Sequence, residues 1–143
     1  MAYPEHLIAP MRADLTQYGV VEARTPADVD RLLGPGSGTV LMVVNSVCGC
    51  AAGKARPAIG LAIRHSVRPD KVATVFAGAD LEAVDHLRDL LSDYPPSSPS
   101  AGLFVDGKPV FMLHRREIEQ RDAAQIAKLL TDAFDRFCVP VQQ

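Results

Sequence analysis

The stretch Thr39-Val40-Leu41-Met42-Val43-Val44-Asn45-Ser46-Val47-Cys48-Gly49-Cys50-Ala51-Ala52-Gly53 carries most of what the sequence says about the fold. From Thr39 to Val44 it is β-branched and apolar without alternation, the pattern of a strand covered on both faces and therefore central in its sheet. Ahead of it, Gly34-Pro35-Gly36-Ser37-Gly38 cannot continue a helix and leads into the strand. Behind it, small residues at Gly49, Ala51, Ala52 and Gly53 give way to Ala55, Ala58, Ile59, Ala62 and Ile63 at helical spacing. A helix starting near Cys48 or Cys50 is expected. Pro57 lies inside that helix and removes one hydrogen bond, which predicts a kink.

Toward the N-terminus, Leu7, Ile8, Met11, Leu15 and Tyr18 share one face of a helix running from Pro4 to Tyr18 and ended by Gly19. After a short apolar Val20-Val21, Thr25-Pro26-Ala27-Asp28 reads as a helix start that runs to Leu33, with Thr25 as the cap and Pro26 at the first helical position. Toward the C-terminus, Val72 to Ala77 reads as a second buried strand, Gly78 and Asp80 as turn and cap, and Leu81, Val84, Leu87, Leu90 and Leu91 as a helix face. Alternating strand and helix imply parallel pairing. Ser92 to Ser100 carries Pro95, Pro96 and Pro99 and reads as a loop. Ala101 to Val105, the turn Asp106-Gly107, and Pro109 to Leu113 form a hairpin signal. A last helix, capped by Asp122, carries Ile126, Leu129, Leu130, Ala133, Phe134 and Phe137. With no repeat and no long linker, residues 1–143 are expected to form one domain, with the helix at 4–18 as an addition.

The chain has 143 residues and 48% hydrophobic content, enough for a core without staples. A formal charge of −2 and no basic run longer than Arg115-Arg116 leave no footprint for nucleic acid. The longest wholly apolar run, Val40 to Val44, is far below the ~20 residues of a spanning helix, and Met1 to Glu5 lacks a signal pattern. A cytoplasmic protein with reduced thiols is expected, without membrane or nucleic-acid partners. There an odd count of three cysteines argues against structural pairing.

Cys48-Gly49-Cys50 falls between the buried strand and the start of the helix, where unpaired N–H groups and the helix dipole favour thiolate over thiol. Lys54 and Arg56 either add positive potential by pointing back toward the sulfurs or are ordinary solvated charges. The two cysteines are close enough in sequence to form a strained, readily reduced disulfide, and Gly49 would relieve strain through backbone angles that other residues resist. Such a pair fits an oxidant, an isomerase or a mixed-disulfide catalyst. The alternative is a metal-binding or metal-delivery module. Two thiolates suit Cu(I) or zinc but fall short of a closed site, and no paired histidines complete it, so no metal ligands are assigned. Cys138 reads as a small, partly buried apolar residue, and His6, His65, His86 and His114 as structural or surface groups.

The arrangement of strand, cysteine pair at a helix start, proline-bearing helix and serine-flanked Pro99 before a hairpin resembles the thioredoxin fold. More specifically, Val43 to Gly53, Arg56-Pro57-Ala58, Phe76-Ala77-Gly78, Pro96-Ser97-Ser98-Pro99-Ser100 and Glu117-Ile118-Glu119 resemble the bacilliredoxins, over essentially the whole chain. The resemblance implies an α/β fold, a three-layer α/β/α sandwich around a central mixed β-sheet, and a cis bond before Pro99. It implies a thiol-disulfide oxidoreductase in which Cys48 attacks a mixed disulfide between bacillithiol and a client protein and Cys50 resolves the adduct, with weak isomerase activity. No bound cofactor is implied. A low-molecular-weight thiol is the co-substrate, S-thiolated proteins are the partners, and the chain is expected as a monomer or weak dimer. Two departures from thioredoxins stand out: Val47 replaces the tryptophan before the first cysteine, and Met42 replaces the buried aspartate six positions before it. Thiol activation would then rest on the helix start and on a neighbouring polar group such as Asn45 or Ser46, although Asn45 equally suits a turn closing the strand.

Overall fold

A computed structural model of the protein describes residues 2–139. β2 (Thr39–Asn45) is buried at every position, as its unbroken apolar character requires. It lies in the middle of a five-stranded sheet, flanked by β3 (Lys71–Phe76) in parallel and β4 (Ser100–Val105) in antiparallel pairing. β5 (Lys108–Leu113) completes the hairpin at one edge. At the other edge β1 (Val21–Glu22) pairs in parallel with β3, so the apolar Val20-Val21 is not merely a connector.

The period-two geometry of β2 divides the core in two. Leu41 and Val43 face the layer that contains α3 (Arg56–Ala62) and α6 (Ala123–Phe137), together with Leu15 of α1 (Glu5–Thr16). Val40, Met42 and Val44 face the layer of α2 (Pro26–Leu33) and α4 (Leu81–Leu90). The result is the expected α/β/α sandwich with a mixed sheet. A five-residue helix, α5 (Arg115–Glu119), follows β5 and has no counterpart in the sequence reading. Among the described residues no helix is long and apolar enough to cross a membrane.

The helix starts mostly follow the local chemistry. Thr25 and Asp28 form a reciprocal capping box on α2, and Asp122 accepts the Gln125 N–H at 2.8 Å to cap α6. Asp80 departs from expectation. It precedes α4, but its carboxylate accepts the Phe76 N–H at 3.0 Å and the Arg12 guanidinium instead of capping. The Asp106-Gly107 turn takes positive φ at both residues, 48° and 82°, the geometry that favours this dipeptide in hairpins. A Cβ at Gly107 would also stand 2.6 Å from the Leu33 carbonyl oxygen. Gly107→Ala is therefore expected to cost about 1–2 kcal/mol from backbone conformation alone, before the clash is added, and urea denaturation measures it.

Candidate active site

Asn45 ends β2 and is 1% exposed. Its Nδ2 donates to the Met11 carbonyl at 3.1 Å, and its Oδ1 accepts the Ser46 N–H at 2.9 Å. Of the two readings of Asn45, the hydrogen bonds match the one that closes the strand. Ser46 Oγ in turn accepts the Cys48 N–H at 3.3 Å. These bonds carry the chain from the rigid centre of the sheet to the first cysteine.

The Cys48 carbonyl accepts the Ala51 N–H at 3.0 Å and the Ala52 N–H at 3.3 Å, so Cys48 occupies the capping position of the helix that begins at Gly49. A side chain there stands over the free N–H groups of the first turn, where a thiolate is favoured. Cys48 and Cys50 are half-buried, their sulfurs are at bonding distance, and their Cα atoms are 5.5 Å apart. Gly49 is exposed and does not adopt positive φ, and apart from its neighbours Cys48 and Cys50 no residue comes within 4 Å of a Cβ placed on it. The expectation that Gly49 supplies backbone angles closed to other residues is thus corrected: the position needs only a conformation open to any residue.

The expected kink at Pro57 is resolved as a π-helical turn over Ala51–Ala55, which hands over to α3 through an Arg56 N–H bonded to the Ala51 carbonyl. Pro57 then lies in the first turn of α3, where its missing donor matters least. Neither nearby cation bonds to a sulfur. Lys54 Nζ donates to the Glu119 carbonyl at 2.6 Å, tying the turn to α5. Arg56 is 3% exposed, pairs with Asp14 at 3.0 Å and donates to the Met11 carbonyl at 3.3 Å. Burial lowers its pKa, with Asp14 opposing that shift. α1 therefore grips the site from both sides, through Asn45 before it and Arg56 after it. Met42 is fully buried and apolar, so the place of the thioredoxin aspartate holds no base.

The Ser98-Pro99 bond is cis and Pro99 is buried. The register Val44↔Ser100 brings Pro99 to the end of β2 from which the cysteine segment emerges. Cys138 is far away. Its thiol is pushed up in pKa by burial, an effect the Thr39 hydroxyl reduces, and Thr39 opens β2 at the end remote from Cys48, about 20 Å along the strand. Cys138 is expected to resist alkylation near pH 8 in the native protein and to react once it is unfolded, which thiol labelling with and without urea checks. Because the unfolded chain releases that proton first, the stability contributed by protonated Cys138 is full below the ordinary thiol pKa of about 8.5 and is lost as pH rises past it. His65 pairs with Asp135 at 2.7 Å and His86 with Asp30 at 2.6 Å, both structural positions. Among the described residues no group of three or more His, Cys, Asp or Glu is placed to hold a metal.

The architecture is that of a thioredoxin-fold protein. An oxidoreductase with a thioredoxin fold superposes with a TM-score of 0.63 at 14% identity, covering 83% of this chain and 96% of its own. Oxidised thioredoxin O2 from Arabidopsis thaliana superposes with a TM-score of 0.58 at 15% identity, covering 82% and 96%. At the sequence level, the family described as Disulphide isomerase matches residues 3–138. A bacilliredoxin of Koribacter versatilis is 51% identical over 136 residues, 95% of this chain and 94% of that one. One from Salinibacter ruber is 49% identical over 140 residues, 96% and 82%, and one from Bacillus licheniformis is 44% identical over 137 residues, 95% of each. The chain belongs to the bacilliredoxin family and is a thiol-disulfide oxidoreductase.

Proposed function

We propose that the protein removes low-molecular-weight thiols of the bacillithiol type from mixed disulfides on client proteins, using Cys48 and Cys50. The observation that carries this reading is the placement of Cys48 at the helix cap, half-exposed, with the Cys50 sulfur beside it. The Cys48 thiolate attacks the small thiol's sulfur, forming a Cys48 mixed disulfide and releasing the client as a thiolate. The Cys50 thiolate then attacks Cys48 Sγ, expels the small thiol as a thiolate and closes the Cys48-Cys50 disulfide. Two electrons pass from the dithiol to the substrate, and two exchanges with a further thiol restore it. The first helical turn stabilises the attacking thiolate. Ser46 fixes the Cys48 amide, Asn45 anchors the segment, Gly49 leaves the pair uncovered, Lys54 braces the turn against α5, and the Pro99 loop offers backbone to an extended client.

A second activity, disulfide isomerisation, is favoured by the description of the matching family. It would use the same attack by Cys48 on a client disulfide, with release by the client's own thiol. For the metal-module alternative, no third ligand joins the two thiolates among the described residues. We place the protein in the cytoplasm, as a monomer or weak dimer with no bound cofactor. Intact-mass spectrometry of Cys50→Ser, purified from its native cytoplasm without reductant, tests the main reading. An adduct on Cys48 with the mass of bacillithiol is expected. Stoichiometric metal with no thiol adduct would overturn it.

A further inference from the structure

A concavity adjoins the Pro99 loop on the α4 side of the sheet. It encloses about 180 Å³ between the end of α4 and the Ser92 to Ser100 segment, with Val44, Arg88, Asp89, Tyr94, Ser97 and Ser100 among its walls. Val44 and Ser100 are directly paired across β2 and β4, so the floor of the pocket is the end of the strand that delivers Cys48. Ser97 comes two residues before Pro99, so one wall is the loop already assigned to the site. Cys48 is four positions after Val44, so their Cα atoms are at most about 14 Å apart.

Arg88 is the unexplained residue in this pocket. It is half-buried in the last turn of α4, and its Nε is buried with no hydrogen-bond partner among the described residues. A buried guanidinium donor left unpaired is costly, and carboxylate is the group its planar fork fits best. Asp89 lines the same pocket but is exposed, and it does not satisfy that donor. Tyr94 and Ser97 bring hydroxyls to the pocket walls, while Ser100 Oγ donates to the Ser97 carbonyl at 2.8 Å. Whole small ligands occupy pockets of about 300–1,000 Å³, so this one suits a fragment of a ligand whose remainder lies outside it. The pocket lies on the α4 face of the sheet and Cys50 packs against the α3 face, so a ligand that joins them passes round the end of β2 beside Pro99, covering about 3.3–3.6 Å for each peptide-like unit between its sulfur and its carboxylate.

We propose that this pocket is the subsite for the carboxylate end of an anionic low-molecular-weight thiol, with Arg88 as its charge partner. The inference rests on the thiol-removal reading above and adds the class of thiol. It also accounts for the choice of sulfur: with the carboxylate held at Arg88, the small thiol's sulfur meets Cys48 and the client is the group released.

The test is a single-turnover reaction of the reduced protein with two probes, glutathione disulfide, which carries carboxylates, and hydroxyethyl disulfide, which is neutral. In each, Cys48 attacks one sulfur and releases the first thiolate, and Cys50 attacks Cys48 Sγ and releases the second. The readout is the ratio of the two second-order rate constants, which cancels any general loss of active protein. Arg88→Met is expected to lower the ratio about tenfold, and Arg88→Lys to restore most of it. A ratio unchanged in Arg88→Met overturns the subsite while leaving the oxidoreductase reading intact. If Arg88→Met instead selectively slows a neutral-thiol mixed disulfide on an acidic peptide, with the glutathione ratio unchanged, the pocket belongs to the client and the proposal fails. Failure of the unsubstituted protein to react with either probe would remove the thiol-removal reading and this inference together.

Discussion

Replacing Cys48 by serine is expected to reduce thiol removal on the order of 10³-fold or more, because a hydroxyl at that cap is not ionised near neutral pH and Cys50 alone has no partner to close a disulfide. Cys138 cannot substitute, being buried at the far end of β2 with a raised pKa. Cys50→Ser should behave differently. It retains the attacking thiolate at the cap, so the first exchange proceeds at close to its normal rate, and the product stalls as a Cys48 adduct with one equivalent of client thiol released. Rapid quenching followed by intact-mass measurement distinguishes the two variants. Full turnover by Cys48→Ser would reverse the assigned roles, and an adduct on Cys50 in that variant would identify the other sulfur as the nucleophile.

The second large effect is expected on stability. Arg12, 5% exposed, donates to both carboxylate oxygens of Asp80 at 2.7 and 2.8 Å, and Asp80 is itself only 8% exposed. Arg12 also bonds to Glu5 at 2.9 Å and lies 5.4 Å from the Phe76 ring centroid. Asp80 and Glu5 hold its pKa above the ordinary arginine value against the opposing effect of burial. Removing Asp80 leaves the buried Arg12 with only the more exposed Glu5 and Glu22 as partners and takes the acceptor from the Phe76 N–H, so Asp80→Ala is expected to destabilise the protein by up to about 3–5 kcal/mol. The paired replacement Arg12→Met with Asp80→Leu should recover most of that loss, since two apolar groups of similar volume leave no orphaned charge. Urea denaturation of the four proteins in the cycle measures the coupling. Near-zero coupling would mean that the Arg12–Asp80 pair adds nothing to the hold on α1 beyond its apolar face and its bonds to Asn45 and Arg56.

The sequence made the centre of this fold legible because β2, β3 and the hairpin turn express themselves locally, through an unbroken apolar run and a dipeptide with its own backbone preference. β1 escaped because two residues are too few to show a period, and α5 because five residues turn barely more than once. The proline in the active-site helix announced a lost hydrogen bond, but not that a π-helical turn would absorb it. At the site, the strand-to-helix junction put a helix start near Cys48 or Cys50 without choosing between them, while the cis bond at Pro99 came only from resemblance. The grip of α1 could not be read at all. It acts through the Met11 carbonyl, which has no signature in sequence, across separations of 34 and 45 residues. The helix described as an addition is therefore fastened to both flanks of the cysteine segment.

Gly49 has a consequence beyond its backbone. Gly49 is exposed and carries no side chain, so between the two cysteines the protein puts up nothing for an approaching chain to recognise or collide with. Discrimination among substrates is thereby displaced from the reacting atoms to their surroundings. A bulky residue at position 49 would meet no residue beyond its two neighbours, yet would stand in the way of an approaching substrate without replacing either sulfur.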